Sequence, residues 1–126
     1  MQFPNEVKYS KEHTWLLVEG DTGTIGITEF AQSELGEIVY VDLPSIGKSF
    51  KQDEVFGSVE AIKTVSDLFM PVSGEVTAFN TRLKDEPTLV NEEFFTGGWM
   101  LKIRITNAEE LSTLLSAEQY KEIAGN

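Results

Sequence analysis

The chain contains no cysteine, and that absence excludes more than disulfides. Without thiolates there is no sulfur nucleophile and no zinc site built on sulfur. His13 is the only histidine, so paired-histidine metal sites and catalysis by two histidines are excluded as well. Basic residues are scarce: 10 Lys and Arg stand against 21 Asp and Glu, a net charge of −11. So acidic a chain repels phosphate backbones and anionic lipid surfaces, because cationic side chains carry most of that affinity. Neither nucleic acid nor a membrane is an expected partner, whereas a protein with a basic docking surface is. No run approaches the roughly 20 apolar residues that span a bilayer. The stretch Met1–Glu6 lacks the basic and apolar regions of a secretory signal, so a cytoplasmic protein is expected. Asp21, Asp42, Asp53 and Asp85 show no calcium-loop spacing, and no glycine-rich loop precedes a helix as a phosphate cradle would need. No metal site is expected.

What is present reads as one domain over residues 1–126, mainly β. Val55, Gly57, Val59 and Ala61 alternate with Phe56, Ser58 and Glu60, the two-residue period of a strand. Trp99, Leu101, Ile103 and Ile105 alternate in the same way. Shorter strands are expected at Trp15–Val18, Thr22–Ile27, Ile38–Leu43, Val65–Phe69 and Glu75–Phe79, with Gly, Pro and Asp between them. Many short strands at this spacing point to a sandwich or barrel. Thr28 precedes Phe30, Ala31 and Leu35, a short amphipathic helix that Gly36 stops. A C-terminal helical segment is expected over about 107–124. There Asn107 with Glu110 resembles a capping box, with Leu111, Leu114 and Leu115 on one face. Ser116 with Gln119 opens a second helix carrying Tyr120 and Ile123 and stopping at Gly125. Arg82–Gly98 reads as a long connection without a clear apolar period, of a length that is functional or packed on the core.

There is a faint repeat. Gly36-Glu37-Ile38-Val39-Tyr40-Val41 is similar to Gly74-Glu75-Val76-Thr77-Ala78-Phe79, and each is followed by a turn and later by an alternating strand. Two half-sheets related by an approximate dyad would place Ile62-Lys63-Thr64 at a hairpin between them. Lys63 is then held in water at a tip where a second protein can reach it. An exposed lysine is protonated and a poor nucleophile, but it can be a substrate for an enzyme that acylates it. Glu60 and Asp67 flank it and favour the ammonium form. At an arbitrary hairpin such a lysine is simply a solubilising turn residue.

The surrounding residues say more. Glu60-Ala61-Ile62-Lys63, Ser66-Asp67-Leu68 and Pro71-Val72-Ser73-Gly74-Glu75-Val76 resemble the lipoyl-lysine region of the glycine cleavage system H proteins. Upstream the resemblance takes in Lys8-Tyr9, His13, Trp15, Gly26-Ile27-Thr28, Ala31-Gln32, Leu35-Gly36 and Val41-Asp42-Leu43-Pro44. Downstream it takes in Leu89, Asn91, Gly98-Trp99, Lys102, Glu110-Leu111, Leu114-Leu115 and Tyr120. Glu-Ser-Val-Lys is the usual family reading, so Ala61 and Ile62 are mild departures. The resemblance implies a flattened β-sandwich, the barrel-sandwich hybrid of lipoyl and biotinyl domains, with a lipoyl hairpin over about 55–79. It implies a carrier rather than an enzyme, with lipoate in amide linkage to Lys63 and with Glu60 and Asp67 as recognition or arm contacts. The implied partners are the pyridoxal-phosphate glycine decarboxylase component, the aminomethyltransferase and dihydrolipoamide dehydrogenase. A lipoate ligase or a lipoyl or octanoyl transferase would load the lysine. A monomer is expected. Sulfur redox chemistry in a chain without cysteine is consistent with sulfur supplied by a cofactor.

One departure matters more. The family commonly has His-Glu-Trp, its Glu beside the cleft that shelters the arm, where this chain has His13-Thr14-Trp15. A one-residue shift reverses the face of a strand, so Glu12 is not an obvious replacement, and Asp67 becomes the better contact for a cationic arm. Other features have plain readings. His13 is expected to be a satisfied structural residue, Trp15 and Trp99 to be packing residues, and Gly57, Gly74 and Gly98 to serve bends or close approach. Glu34, Glu37, Glu92 and Glu93 make solvated or partner-facing acidic surface. Two other carriers use the same lysine. One is a biotin carrier, whose Glu-Ala-Met-Lys-Met lacks its methionines here. The other is a relay that passes lipoyl groups to oxo-acid dehydrogenases. An unmodified binding module is the alternative from a different class.

Overall fold

Alternation and punctuation place most of the strands of the computed structural model, which describes residues 2–124. In chain order β1 is Lys8–Tyr9, β2 Thr14–Glu19, β3 Thr22–Ile27, α1 Glu29–Leu35, β4 Ile38–Asp42, β5 Ser49–Phe50, β6 Val55–Ala61 and β7 Val65–Phe69. Then follow β8 Gly74–Phe79, α2 Arg82–Asp85, α3 Leu89–Glu92, β9 Leu101–Ile105, a 3₁₀ turn over Ala108–Thr113 and α4 Ala117–Ala124. Two antiparallel sheets result, one of six strands ordered β1-β2-β3-β9-β8-β5 and one of three ordered β4-β6-β7. The mainly β architecture with short helices is as expected. Among the described residues no helix is long and apolar enough to cross a membrane.

The inward residues of both sheets meet in one core. Leu16, Ile25, Ile103 and Leu101 from the larger sheet and Ile38 and Val59 from the smaller are wholly buried. Gly57 is bare because β6 passes directly over the backbone of Asp42, and a Cβ there would collide with that residue's carbonyl oxygen. The repeat also has a structural counterpart. β4 pairs with β6, and β8 pairs with β9. The register slips between Ile38 and Tyr40 in the first pair and between Val76 and Ala78 in the second. In the repeat these are equivalent positions, so both halves carry their bulge at the same place. The hairpin around Lys63, however, lies inside the three-stranded sheet and joins β6 to β7 rather than the two halves.

Three expectations need correcting. The alternating run at Trp99 starts its ladder only at Leu101; Trp99 is half-buried outside the strand, with the Lys102 ammonium 5.2 Å from its ring centroid. Arg82–Gly98 is, of the two alternatives, packed on the core, but as two single-turn helices that drive Leu83, Leu89 and Val90 inward rather than as a plain connection. A one-turn helix is too short to display a 3.6-residue period, which is why the pattern was invisible. The segment after Asn107 is a 3₁₀ turn. Asn107 Oδ1 accepts from the Glu109 N–H, while the Glu110 carboxylate turns away to accept from the Ser73 N–H and hydroxyl. Leu111 and Leu114 join the main core and Leu115 a second cluster, so they do not share one face. At Ser116 the capping box forms in both directions: Gln119 N–H donates to the serine hydroxyl, and Ser116 N–H to Gln119 Oε1. The expected stop at Gly125 lies outside the described residues.

Asn91 shows how the helical connection braces the fold. Its Nδ2 donates to Gln32 Oε1 and the Gly36 carbonyl, and its Oδ1 accepts from the Ile38 N–H at 2.9 Å. One amide therefore joins α3 to the end of α1 and the start of β4. Asn91→Ala leaves a part-buried N–H and a carbonyl without protein partners. It is expected to lower stability by about 2 kcal/mol, read as a reduced urea midpoint at unchanged slope.

Candidate functional site

Lys63 is the middle residue of the three-residue loop Ile62-Lys63-Thr64 between β6 and β7, and it is exposed to solvent. The loop is closed by the Ala61 N–H donating to the Thr64 carbonyl at 2.8 Å. A second bond, from the Ile62 N–H to the Glu37 carbonyl at 3.3 Å, fastens the tip to the residue before β4. Neither Ile62 nor Lys63 has a positive φ, so the loop needs no glycine and can carry two long side chains. Glu60 is exposed on the outer face of the sheet, opposite Tyr40 on β4 and Val65 on β7. Asp67 lies one row further along, opposite Ser58. Both expected flanking residues thus sit on the hairpin's strands, and among the described residues neither forms an ion pair with Lys63.

Beside β7, the edge strand of the smaller sheet, opens a groove of about 270 Å³. Ser66, Asp67 and Leu68 form one wall; Phe30, Ala31, Glu34 and Leu35 of α1 form the other. Ile27 lies between them, and Glu12, His13 and Thr14 close one end. α1 lies here because of how it starts. Thr28 caps it, its hydroxyl accepting from the Ala31 N–H, and Gly36 ends it at φ 82°, a left-handed conformation that costs a glycine little.

The end wall is held by a hydrogen-bond relay. His13 has a φ of 70°, which turns the chain into β2, and its carbonyl accepts from the Thr28 N–H. Its Nδ1 lies 2.8 Å from the Tyr120 hydroxyl, which lies 2.7 Å from the Thr28 hydroxyl. The relay runs in either sense: Thr28 donating to Tyr120 and Tyr120 to Nδ1 puts the imidazole proton on Nε2, and the reverse order has Nδ1–H donating to the phenol. Burial holds the His13 pKa below its ordinary 6.5, against the opposing pull of the Glu12 and Glu34 carboxylates. Burial likewise raises the Tyr120 phenol, the Thr28 hydrogen bond opposing it, and pushes Tyr9 above the usual phenol range. Tyr9 stacks on Tyr120 at 4.6 Å between centroids. Trp15 is 2% exposed and donates its indole N–H to the Phe94 carbonyl. His13 and Trp15 are therefore structural, as expected.

The family model described as Glycine cleavage H-protein matches residues 7–126. The chain belongs to the glycine cleavage H-protein family. The glycine cleavage system H protein of Staphylococcus carnosus (strain TM300) is 54% identical over 125 residues, 99% of each chain. That of Bacillus cereus (strain AH187) is 52% identical over 123 residues, covering 98% of this chain and 97% of the relative. A crystal structure of a glycine cleavage system H protein from Mycobacterium marinum superposes with a TM-score of 0.90 at 33% identity, covering 98% of this chain and 99% of the other.

In this H-family chain two carboxylates, Glu12 and Glu34, differ from expectation, while Thr14 is turned inward. Thr14 is 1% exposed; its hydroxyl contacts Ser10 Oγ at 2.6 Å and donates to the Phe69 carbonyl at 3.4 Å. It braces β2 against β7 and has little left to offer the groove. Glu12, by contrast, does line the groove. The face-reversal argument against it fails because β2 begins only at Thr14 and the left-handed turn at His13 breaks the strand period. Glu34, read as surface, lines it too. Both were missed because one depends on a backbone reversal and the other on which way α1 faces.

The relay predicts a pH dependence. Because the folded state lowers the His13 pKa, its contribution is complete above the unfolded value of 6.5 and is lost as pH falls through the folded one. The His13 imidazole should titrate below 6.5 by NMR. His13→Asn, which tolerates the positive φ, should show a smaller loss of urea stability than the wild type between pH 7 and pH 5.

Proposed function

We propose that the chain, as one lipoyl-carrier domain, is the carrier of the glycine cleavage system, with lipoate in amide linkage to Lys63. Lipoate on Lys63 would supply a dithiolane able to take up an aminomethyl group as the pyridoxal-phosphate component releases carbon dioxide from glycine, to yield its methylene to tetrahydrofolate at the aminomethyltransferase with release of ammonia, and to be reoxidised from the dithiol by dihydrolipoamide dehydrogenase. A lipoate ligase or a lipoyl or octanoyl transferase loads Lys63. The protein acts as a cytoplasmic monomer and is itself no enzyme.

The observation that carries this reading is the exposed lysine on a three-residue tip beside a groove, in a chain of this family. The residues fit the group. Ile27, Phe30, Leu35 and Leu68 give the groove apolar walls for a hydrocarbon arm. Glu12, Glu34 and Asp67 give it carboxylates for a cationic amine. From Lys63 to Asp67 is four residues along β7, or about 13 Å at strand spacing, which an acylated lysine folded back along the strand can cover. The tether keeps the reacting group at high effective concentration for each enzyme in turn.

The test is an intact mass followed by peptide mapping across Lys63, on protein produced with lipoate available. A lipoyl increment on Lys63 is expected. A biotinyl increment, or an unmodified lysine in cells whose other lipoyl proteins are fully modified, overturns the reading. Lys63→Arg is expected to abolish glycine turnover while leaving circular dichroism and thermal unfolding unchanged.

A further inference from the structure

The two sheets present contrasting surfaces to solvent. On the larger one, Thr22, Arg104 and Glu75 form a cross-strand row in which the Arg104 guanidinium donates to the Glu75 carboxylate at 2.9 Å. Lys102 stands in the next row beside Thr24. That face thus holds cations, and its one carboxylate in this row is paired. On the smaller sheet one row is Tyr40, Glu60, Val65 and the next is Asp42, Ser58, Asp67. β4, β6 and β7 together hold three carboxylates and no lysine or arginine. Among the described residues none of the three is in an ion pair. Lys48 shares a groove with Asp42 and Asp67 at the end away from Lys63, without reaching ion-pair distance of either.

The same face exposes apolar side chains. Tyr40 is 49% and Val65 61% exposed, one on each side of Glu60. Ile62 at the tip and Val39 at the β4 bulge are exposed as well, which gathers at the Lys63 end half of the eight large apolar side chains exposed among the described residues. Apolar area clustered like this is characteristic of a contact surface. Any enzyme that takes the arm of Lys63 into its active site brings the rim of that entrance against this face. Lipoylation removes the ammonium of Lys63, the only amine on the hairpin, so a lipoylated carrier presents carboxylates alone there until the arm takes up its amine.

We infer that the outer face of β4-β6-β7 docks enzymes whose active-site entrance combines an apolar socket with a basic rim. Tyr40 and Val65 fill the socket, and Asp42, Glu60 and Asp67 face the rim. Exposed tyrosines are strong anchors when a partner buries them. Complementary charge accelerates encounter and makes it sensitive to salt. This rests on the carrier reading above and adds the chemistry of the surface that its partners recognise.

The test uses carriers shown by intact mass to be fully lipoylated. Glycine decarboxylation by the pyridoxal-phosphate component is measured against carrier concentration at low and high salt. Tyr40→Ala combined with Val65→Ser is expected to raise KM for the carrier about tenfold with kcat little changed. Asp42→Asn combined with Glu60→Gln should lose most of the salt dependence that the wild type shows. Arg104→Gln, on the other sheet, should match the wild type. If both double variants keep wild-type KM and salt response, the docking proposal is overturned. If instead the wild type takes no lipoyl group or supports no turnover, the carrier reading itself fails, and the two results cannot be confused.

Discussion

The position of the groove depends on one phenol oxygen. Tyr120 lies on α4 near the end of the chain, yet its hydroxyl reaches His13 at the entry to β2 and Thr28 at the cap of α1. Because Thr28 also accepts from the Ala31 N–H, the start of α1 is tied both to its own first turn and to the C-terminal helix. The ring stacks on Tyr9 and packs edge-on to Phe3, so the same residue closes the second apolar cluster over the N-terminal segment. A neutral histidine fits this arrangement in either tautomer, Nδ1 accepting from the phenol or donating to it. Burial is what keeps it neutral near pH 7.

From that anchor the candidate site follows in two parts. Asn91 holds the far end of α1 against β4, so the helix is braced at both ends and forms a firm wall opposite β7. The hairpin is braced in a similar way. Its three-residue loop is pinned by the Glu37 carbonyl, which limits how far the tip can swing while leaving the Lys63 side chain in water. Carboxylates line the groove and the outer face alike, a concentration of one sign that works against folding through self-repulsion. The burial of two apolar clusters offsets it.

Much of this was legible in the residues. The bounds of β6 follow directly from period-two alternation, and those of β3 and β7 from short strand-forming runs set off by turn residues. α1 is announced by Thr28 and Gly36, and α4 by the Ser116–Gln119 box, because each signal is a hydrogen bond within a few residues. The two-residue strands β1 and β5 left no such trace, since their conformation is imposed by β2 and β8. α2 and α3 were illegible for the related reason that a single turn has no period to display. The equivalent bulges in β4 and β8 turn a faint six-residue similarity into a structural one.

The candidate site divides along the same line. Alternating segments on both sides of Ile62-Lys63 place that lysine at a tip, and strand parity puts Glu60 on the sheet's outer face; both are consequences of local geometry that sequence determines unaided. The groove is different. It draws on residues 12–14, 27–35 and 66–68, which only the packing of α1 between β7 and the His13 turn brings together. That Thr14 turns inward while Glu12 lines the groove was decided by a positive φ at His13 and by the partners that fix it, Tyr120 among them from 107 residues away. Periodicity describes a side chain only while the backbone stays regular, and at a chain reversal the tertiary contacts choose the direction.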